Sequence, residues 1–430
     1  MAITGRVGLL ALLGAVVVGF AVPSTSGVVL VTAVIVIAVL ADLALAGSVR
    51  ALRFTRAGAR SARLGDTAEV GLIIENPGRA RVRGVLRDAW PPSAGAVDRH
   101  TIDIPGHGRQ TVTTGLTPTR RGDRKADRVT VRAYGPLGLA ARQGSHEVPW
   151  TLRVLPPFHS RRHLPSRLAR LRELDGRLAT LARGQGTEFD SLRTYVVGDD
   201  VRSIDWRATA RASDVMIRTW RPERDRHLMI VLDTGRTSAG RVGDIPRLDA
   251  TMDAALLLAA LAARAGDRVD FIAYDRKVRA GVQGSSAADL LPSLVNSMAP
   301  LEPELVESDA RGIVAEVLRR SRRRSLVVLL TGLDPDPVQQ SLMPVLSALT
   351  SRHLVLVASV TDPRVAEMAQ ARGDAEAVYD AAAAARTLQE REHIAALLQR
   401  RGVEVVDATP NDLAPALADK YLALKAAGRL

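Results

Sequence analysis

Two apolar runs at the N-terminus constrain this chain more than any other feature. Val7 to Val22 is unbroken by charge, and Val28 to Ala46 carries only Asp42. A helix needs roughly 17–25 apolar residues to cross a bilayer core, so the second run qualifies and the first is slightly short. Pro23-Ser24-Thr25-Ser26-Gly27 between them is an uncharged, breaker-rich turn. A transmembrane helical hairpin is therefore expected within residues 1–49, with helices at about 7–22 and 28–46. Arg6 precedes the first run, while Arg50, Arg53, Arg56, Arg60 and Arg63 follow the second. Basic ends around a neutral turn place both ends in the cytoplasm. The expected location is the cell membrane, multi-pass, with both termini and the soluble domains cytoplasmic. A cleaved signal peptide is the rival reading, with Gly19 and Ala21 near a possible cut. The second run, following at once, favours the hairpin. Asp42 is read as lying near the cytoplasmic helix end and reaching interfacial water, rather than acting as an intramembrane acid.

The full 430 residues exceed one ordinary core, and two or three domains are expected. From 50 to 156 the pattern is short and alternating, as in Ala68–Glu75, Val82–Leu86, Thr101–Ile104, Thr111–Leu116, Val129–Tyr134 and Leu152–Leu155. With Gly and Pro punctuation this reads as a β-sandwich-like domain. From 226 to 430 continuous apolar strands such as His227–Leu232, Ser325–Leu330 and His353–Val360 alternate with helical stretches. That pattern predicts an α/β domain with a mostly parallel sheet covered on both faces. Residues 157–225 connect the two domains.

Several chemistries are excluded or disfavoured. The chain has no cysteine, which removes disulfides, thiolate catalysis and Cys-based metal sites. It has no Walker A loop, no His-Glu-x-x-His and no Gly-x-Ser-x-Gly, so no enzymatic constellation is found. A net charge of +13 suits anionic lipid, nucleic acid or an acidic protein. Dispersed arginines and only 3% aromatics make nucleic acid the weakest of these. His159 and His163 have metal-pair spacing, but the prolines around them argue against a helical site. Arg319, Arg320, Arg322, Arg323 and Arg324 read as a solvated helix end.

In a parallel sheet, functional groups collect where strand C-termini meet the following loops. One such loop is Asp233-Thr234-Gly235-Arg236-Thr237-Ser238, and another is Thr331-Gly332-Leu333-Asp334-Pro335-Asp336. Hydroxyls and carboxylates converging there suit a hard cation such as Mg²⁺. The pattern resembles the metal-ion-dependent adhesion site of von Willebrand factor type A domains, Asp-x-Ser-x-Ser followed by a distant Thr and Asp. Asp233 and Thr237 fit it, and Gly235 stands where the middle Ser would be. The last acid falls to Asp334 or Asp336; the distant Thr has no assigned counterpart, and Glu304, Glu307, Ser308 and Asp309 lie in the stretch where it would fall. The tentative metal set is Asp233, Thr237 and Asp334. The other reading is a metal-free domain in which Asp233 caps a loop or the next helix.

The connecting segment carries the most distinctive stretch. It runs from Gly184-Gln185-Gly186 through Glu188-Phe189, Leu192-Arg193-Thr194-Tyr195, Gly198-Asp199-Asp200, Arg202-Ser203-Ile204-Asp205-Trp206 and Ala208-Thr209-Ala210-Arg211. Isolated buried charges are too costly to keep, so a buried or half-buried ion-pair network is expected here. The stretch resembles the bacterial family known as domain of unknown function 58. The resemblance extends over the whole chain, including the Tyr134-Gly135-Pro136-Leu137-Gly138-Leu139 turn. It implies a membrane-anchored protein with a type A-like domain, often encoded beside MoxR-type AAA+ ATPases and other type A domain proteins. The implied function is that of adaptor or chaperone-like partner of the ATPase. The alternatives are an Mg-dependent protein-binding module that acts without an ATPase, or a basic nucleic-acid-binding protein. Glu188, Arg193, Tyr195, Gly198, Asp199, Asp200, Arg202, Asp205, Trp206 and Arg211 are then either an interdomain network or a docking surface.

Overall fold

A computed structural model describes residues 2–21, 23–181, 188–197, 199–221 and 226–430, with backbone alone for 175–181, 188–190 and 219–221. The chain divides into two compact units, Met1–Leu155 and Pro156–Leu430.

The first unit opens with two helices, Gly5–Ala21 and Thr25–Leu45. Ser24 caps the second by accepting from the Gly27 amide at 3.2 Å. Thr25–Leu45 is long and apolar enough to cross a membrane, and Gly5–Ala21 is a shorter apolar helix. Asp42 differs from its expected role. It is fully buried, and its carboxylate accepts from the amides of Leu137 at 2.7 Å, Leu139 at 2.7 Å and Ala140 at 2.8 Å. Three converging N–H donors solvate the charge better than partial exposure would, so the carboxylate turns inward to the protein and away from water.

Among the described residues, eleven strands follow or flank these helices. Five form one sheet in the order Ala2–Ile3, Ala140–His146, Val129–Tyr134, Val82–Asp88, Arg99–Ile104. Arg53–Gly58, Ala68–Glu75 and Arg109–Leu116 form a second sheet, and Ser61–Arg63, Thr151–Leu155 and Gly122–Lys125 a third. Alternation in Ala68–Glu75 sends Val70, Leu72 and Ile74 inward. Leu72 and Ile74 then share one core with Val82, Leu86, Ile102, Ile104, Val129 and Val131 of the five-stranded sheet. Beside that core lies a buried ion pair. The Arg56 guanidinium donates to both oxygens of Asp88, at 2.5 and 2.9 Å, and its Nε donates to the Val148 carbonyl at 2.9 Å.

In the second unit a six-stranded sheet has the order Val278–Val282, Arg268–Tyr274, His227–Asp233, Leu326–Leu330, Leu354–Val360, Glu404–Ala408. Only Val278–Val282 runs antiparallel to its neighbour. Met229, Val231, Val327, Leu329, Val355 and Val357 pack with Ile313, Val317, Ile394 and Leu398 of helices Ala310–Arg320 and Ala375–Arg400. Helices Arg247–Arg264 and Pro410–Ala426 pack on one another and on the sheet. Strand order reverses beside His227–Asp233: the chain first adds strands on one side of it, then on the other. In open α/β sheets, ligands bind at the strand C-termini of such a switch point.

The opposite, N-terminal edge of the sheet holds a polar cluster. His227 Nδ1 lies 2.7 Å from Ser321 Oγ and 2.9 Å from Ser325 Oγ, and its Nε2 lies 2.9 Å from Asp270. His353 is 4% exposed, and neither ring nitrogen has a hydrogen-bond partner among the described residues. Burial pulls its pKa below the ordinary value, with the neighbouring His227 and Arg352 adding to the effect. The folded state therefore binds this proton less readily than the unfolded chain. Its contribution to stability is fully present above pH about 6.5 and is lost as pH falls toward the folded value. The urea midpoint of wild type is expected to drop between pH 7.5 and 5.5 by more than that of His353→Leu. Equal drops would refute the assignment.

Candidate functional site at the sheet switch point

Asp233 ends the central strand, and the next residue in register on the neighbouring strand is Thr331, since Leu232 pairs with Leu330. Parallel pairing thus sets a carboxylate and a hydroxyl side by side. Thr331 Oγ1 donates to Asp233 Oδ2 at 2.6 Å, and Thr237 Oγ1 donates to the same oxygen at 3.1 Å. Oδ1 accepts from the Gly235 amide at 2.8 Å and from the Ser308 hydroxyl. The Asp233 carbonyl accepts from Ser238 Oγ at 2.7 Å. One buried carboxylate therefore gathers three hydroxyls from three separate loops.

Gly235 explains itself at this point. A Cβ there would lie 2.2 Å from Ser308 Oγ and 2.8 Å from the Val306 carbonyl. Ser308 occupies the space that a serine side chain at 235 would need. The hydroxyl absent from position 235 is supplied by a loop more than seventy residues further along the chain.

The remaining acids are placed around this centre. Asp334 faces Arg247, whose Nη1 stands 3.5 Å from Asp334 Oδ2 and donates to the Thr237 carbonyl at 3.5 Å. Asp336 precedes the turn Pro337–Leu342, which has π-helical hydrogen bonding, a form frequent at functional sites. Glu307 pairs with Arg236 at 3.0 Å, Glu304 with Arg279 at 2.8 Å, and Asp309 caps helix Ala310–Arg320. Burial raises the Asp275 pKa, but the Arg276 and Lys277 amides and Arg279 outweigh it and hold the carboxyl below its usual range. Beside Asp233 a cavity of about 60 Å³ is bounded by Val231, Ile313, Leu329, Val338, Thr331 and Ser308, among others.

Among the described residues no three His, Asp or Glu side chains cluster tightly enough to hold a metal. The oxygen set itself fits a hard cation: Mg²⁺ is commonly held by one or two carboxylates with its remaining positions filled by water. Asp233 would supply the charge, and Thr237, Ser308 and Thr331 neutral oxygens.

The family-motif segment forms an antiparallel hairpin, Glu188–Thr194 with Met216–Arg221. Arg193 makes a two-pronged pair with Asp199 at 2.6 and 2.8 Å, and Arg218 pairs with Asp205 at 2.8 Å. Asp200 caps a short turn over Val201–Ser203, and Asp205 caps the short helix Trp206–Thr209. The Arg193 guanidinium holds Asp199, and chiefly the Ala208 amide holds Asp205, below the usual carboxylate range. The expected buried or half-buried network takes, among the described residues, the form of local pairs whose side chains are half-buried. Trp206 is 70% exposed and Val197 94%, while Arg202 and Arg211 are exposed and the Tyr195 amide bonds Val215. The charges pair with one another within the hairpin and keep contact with water, which spares them the desolvation cost of full burial. The Glu188 side chain, Gly198 and the Gly184–Gly186 entry lie outside the described residues.

A family model, Protein of unknown function DUF58, matches residues 191–406. Uncharacterized protein Mb1516 of Mycobacterium bovis is 27% identical over 190 residues, covering 44% of this chain and 59% of that protein. Uncharacterized protein Rv1480 of Mycobacterium tuberculosis matches to the same extent. The chain thus spans about three-fifths of the length of these curated relatives. Among solved structures, the CARDB domain of the PF1109 protein from Pyrococcus furiosus is 16% identical, with a TM-score of 0.18 over 24% of this chain and 86% of that one. A β-glucosidase from Listeria innocua is 14% identical, with a TM-score of 0.15 over 23% and 16%. Likenesses this slight carry no argument.

Proposed function

The chain belongs to the DUF58 family, whose model spans half its length, and from that premise we propose a membrane-anchored, non-enzymatic adaptor that binds a partner protein through its α/β unit. The observation that carries this reading is the convergence of Thr237, Ser308 and Thr331 on Asp233 at the sheet switch point. In this reading the unit is von Willebrand factor type A-like, and the Asp233 centre is its cation-assisted docking site. Ser308 takes the place of the hydroxyl that Gly235 lacks. The partner that the family resemblance implies is a MoxR-type AAA+ ATPase, which suits a chain with no Walker A loop of its own.

Anchoring as a two-helix hairpin is supported from within the first unit. Ala2–Ile3 pairs with Ala140–Ala141, and the end of Thr25–Leu45 bonds to the same strand region. Both ends of the helix pair return to one folded unit, so a second helix that crosses the bilayer requires the first to cross back. The basic residues from Arg50 onward favour a cytoplasmic placement of that unit.

Titration calorimetry with Mg²⁺ tests the site on the full chain in detergent. Wild type is expected to give a saturable heat that Asp233→Ala abolishes. No heat from wild type, or the same heat from both proteins, would remove the cation from this account.

A further inference from the structure

Asp42 sits in an otherwise apolar helix, yet its charge is met entirely by protein. Besides the three amides it accepts, the helix end is held by Arg142 Nε, which donates to the Leu43 carbonyl at 3.1 Å, and by His146 Nε2, 3.0 Å from the Val49 carbonyl. Close approach is built in. A Cβ on Gly135 would fall 2.3 Å from Asp42, and one on Gly144 would fall 2.9 Å from Val49. From the other side Thr4 donates to the Gly138 carbonyl at 2.6 Å, and Arg6 donates to the Leu137 carbonyl at 3.1 Å. The helices and this end of the five-stranded sheet are therefore fastened together by direct hydrogen bonds.

Three large apolar side chains lie exposed around this lock. Ile3 is 71% exposed, Leu45 66% and Leu137 56%. Each adjoins the buried carboxylate. Ile3 pairs with Ala140, the Leu137 amide donates to Asp42, and Leu45 lies within one helical turn of it. Arg6 and Arg50, both exposed, stand nearby in the chain.

We propose that this collar of Ile3, Leu45 and Leu137 is a lipid-contact surface that seats the β-rich unit at the boundary between acyl chains and headgroups. The inference rests on the anchoring reading above and goes beyond it. A tether alone would leave the folded unit free in water, whereas this geometry holds it against the bilayer. Lipid is the fitting occupant because the collar continues directly from helices that expose large apolar side chains along their length. With Asp42 fully hydrogen-bonded, no unsatisfied charge opposes entry of the collar into that layer. Arg6 and Arg50 are then placed to meet lipid phosphates.

The absence of cysteine permits single nitroxide labels on the full chain in phosphatidylglycerol-containing vesicles. Labels at Val34→Cys, Leu137→Cys and Thr113→Cys would be compared for collisions with oxygen and with a water-soluble nickel chelate. Val34 should read as deep lipid, Thr113 as water, and Leu137 as shallow lipid, with nickel collisions several-fold below those at Thr113. If Val34 reads as lipid while Leu137 matches Thr113, the collar is wrong and the anchor stands. Leu137 shielded from both reagents would indicate protein contact, such as a second copy, and would also overturn it. Val34 outside lipid would overturn anchor and collar together.

Discussion

Asp88→Ala is expected to destabilise the β-rich unit by about 3–5 kcal/mol, the usual result of stripping one partner from a buried ion pair. Asp88 accepts both prongs of Arg56, the Trp90 indole N–H at 3.0 Å and the Thr114 hydroxyl at 3.0 Å. The side chains of Arg56 and Asp88 are almost wholly enclosed. Removing the carboxylate leaves an enclosed guanidinium with one hydrogen bond, to the Val148 carbonyl. Burial alone would raise the Asp88 pKa, but the bonds from Arg56, Trp90 and Thr114 outweigh it and hold the carboxyl below its ordinary range. The folded pKa is thus depressed. The pair's stabilisation is present above pH about 3.9 and is lost as pH falls through the folded value. Urea unfolding of the full chain would show an earlier midpoint in Asp88→Ala than in wild type. The double change Arg56→Met with Asp88→Leu should recover most of the loss, because no charge is then stranded. A single mutant as stable as wild type would contradict the pairing.

Gly235→Ser carries the second large effect, because it appears conservative by analogy with type A sites and is not. The new Cβ would meet Ser308 Oγ at 2.2 Å and the Val306 carbonyl at 2.8 Å. The loop bearing Ser308 must then move, and its hydroxyl leaves Asp233. Overpacking of this kind costs about 1–3 kcal/mol. Ser308→Gly in the same chain should restore most of that, since one hydroxyl in that space satisfies Asp233 from either loop. Thermal unfolding of the single and double variants decides it. Additive losses would show that the two positions do not share a space.

How far the fold was readable follows from which signals are local. Val129–Tyr134 and Ala68–Glu75 alternate cleanly and form strands with those bounds. Leu228–Leu232, within the strand His227–Asp233, and Leu326–Leu330 are continuous apolar runs and are buried throughout. Arg53–Gly58 and Ala140–His146 were illegible because they are polar, and the inward Arg56 reads as surface until Asp88 is known to face it. Asp233 and Thr237 were visible because they share one loop. Ser308 and Thr331 were not assigned, because their meeting with Asp233 depends on strand order and register. The inward turn of Asp42 is not legible in sequence for the same reason: its partners lie ninety-five or more residues away.

The proposed docking of a partner at the Asp233 centre is addressed most directly by a pull-down. The full chain in detergent would be immobilised and offered a purified MoxR-type ATPase, with Mg²⁺ or with EDTA, using wild type and Asp233→Ala. Recovery of the ATPase by wild type with Mg²⁺, lost in EDTA and lost in Asp233→Ala, is the expected result. Recovery indifferent to both Mg²⁺ and Asp233, or no recovery from a folded wild-type chain, would contradict it.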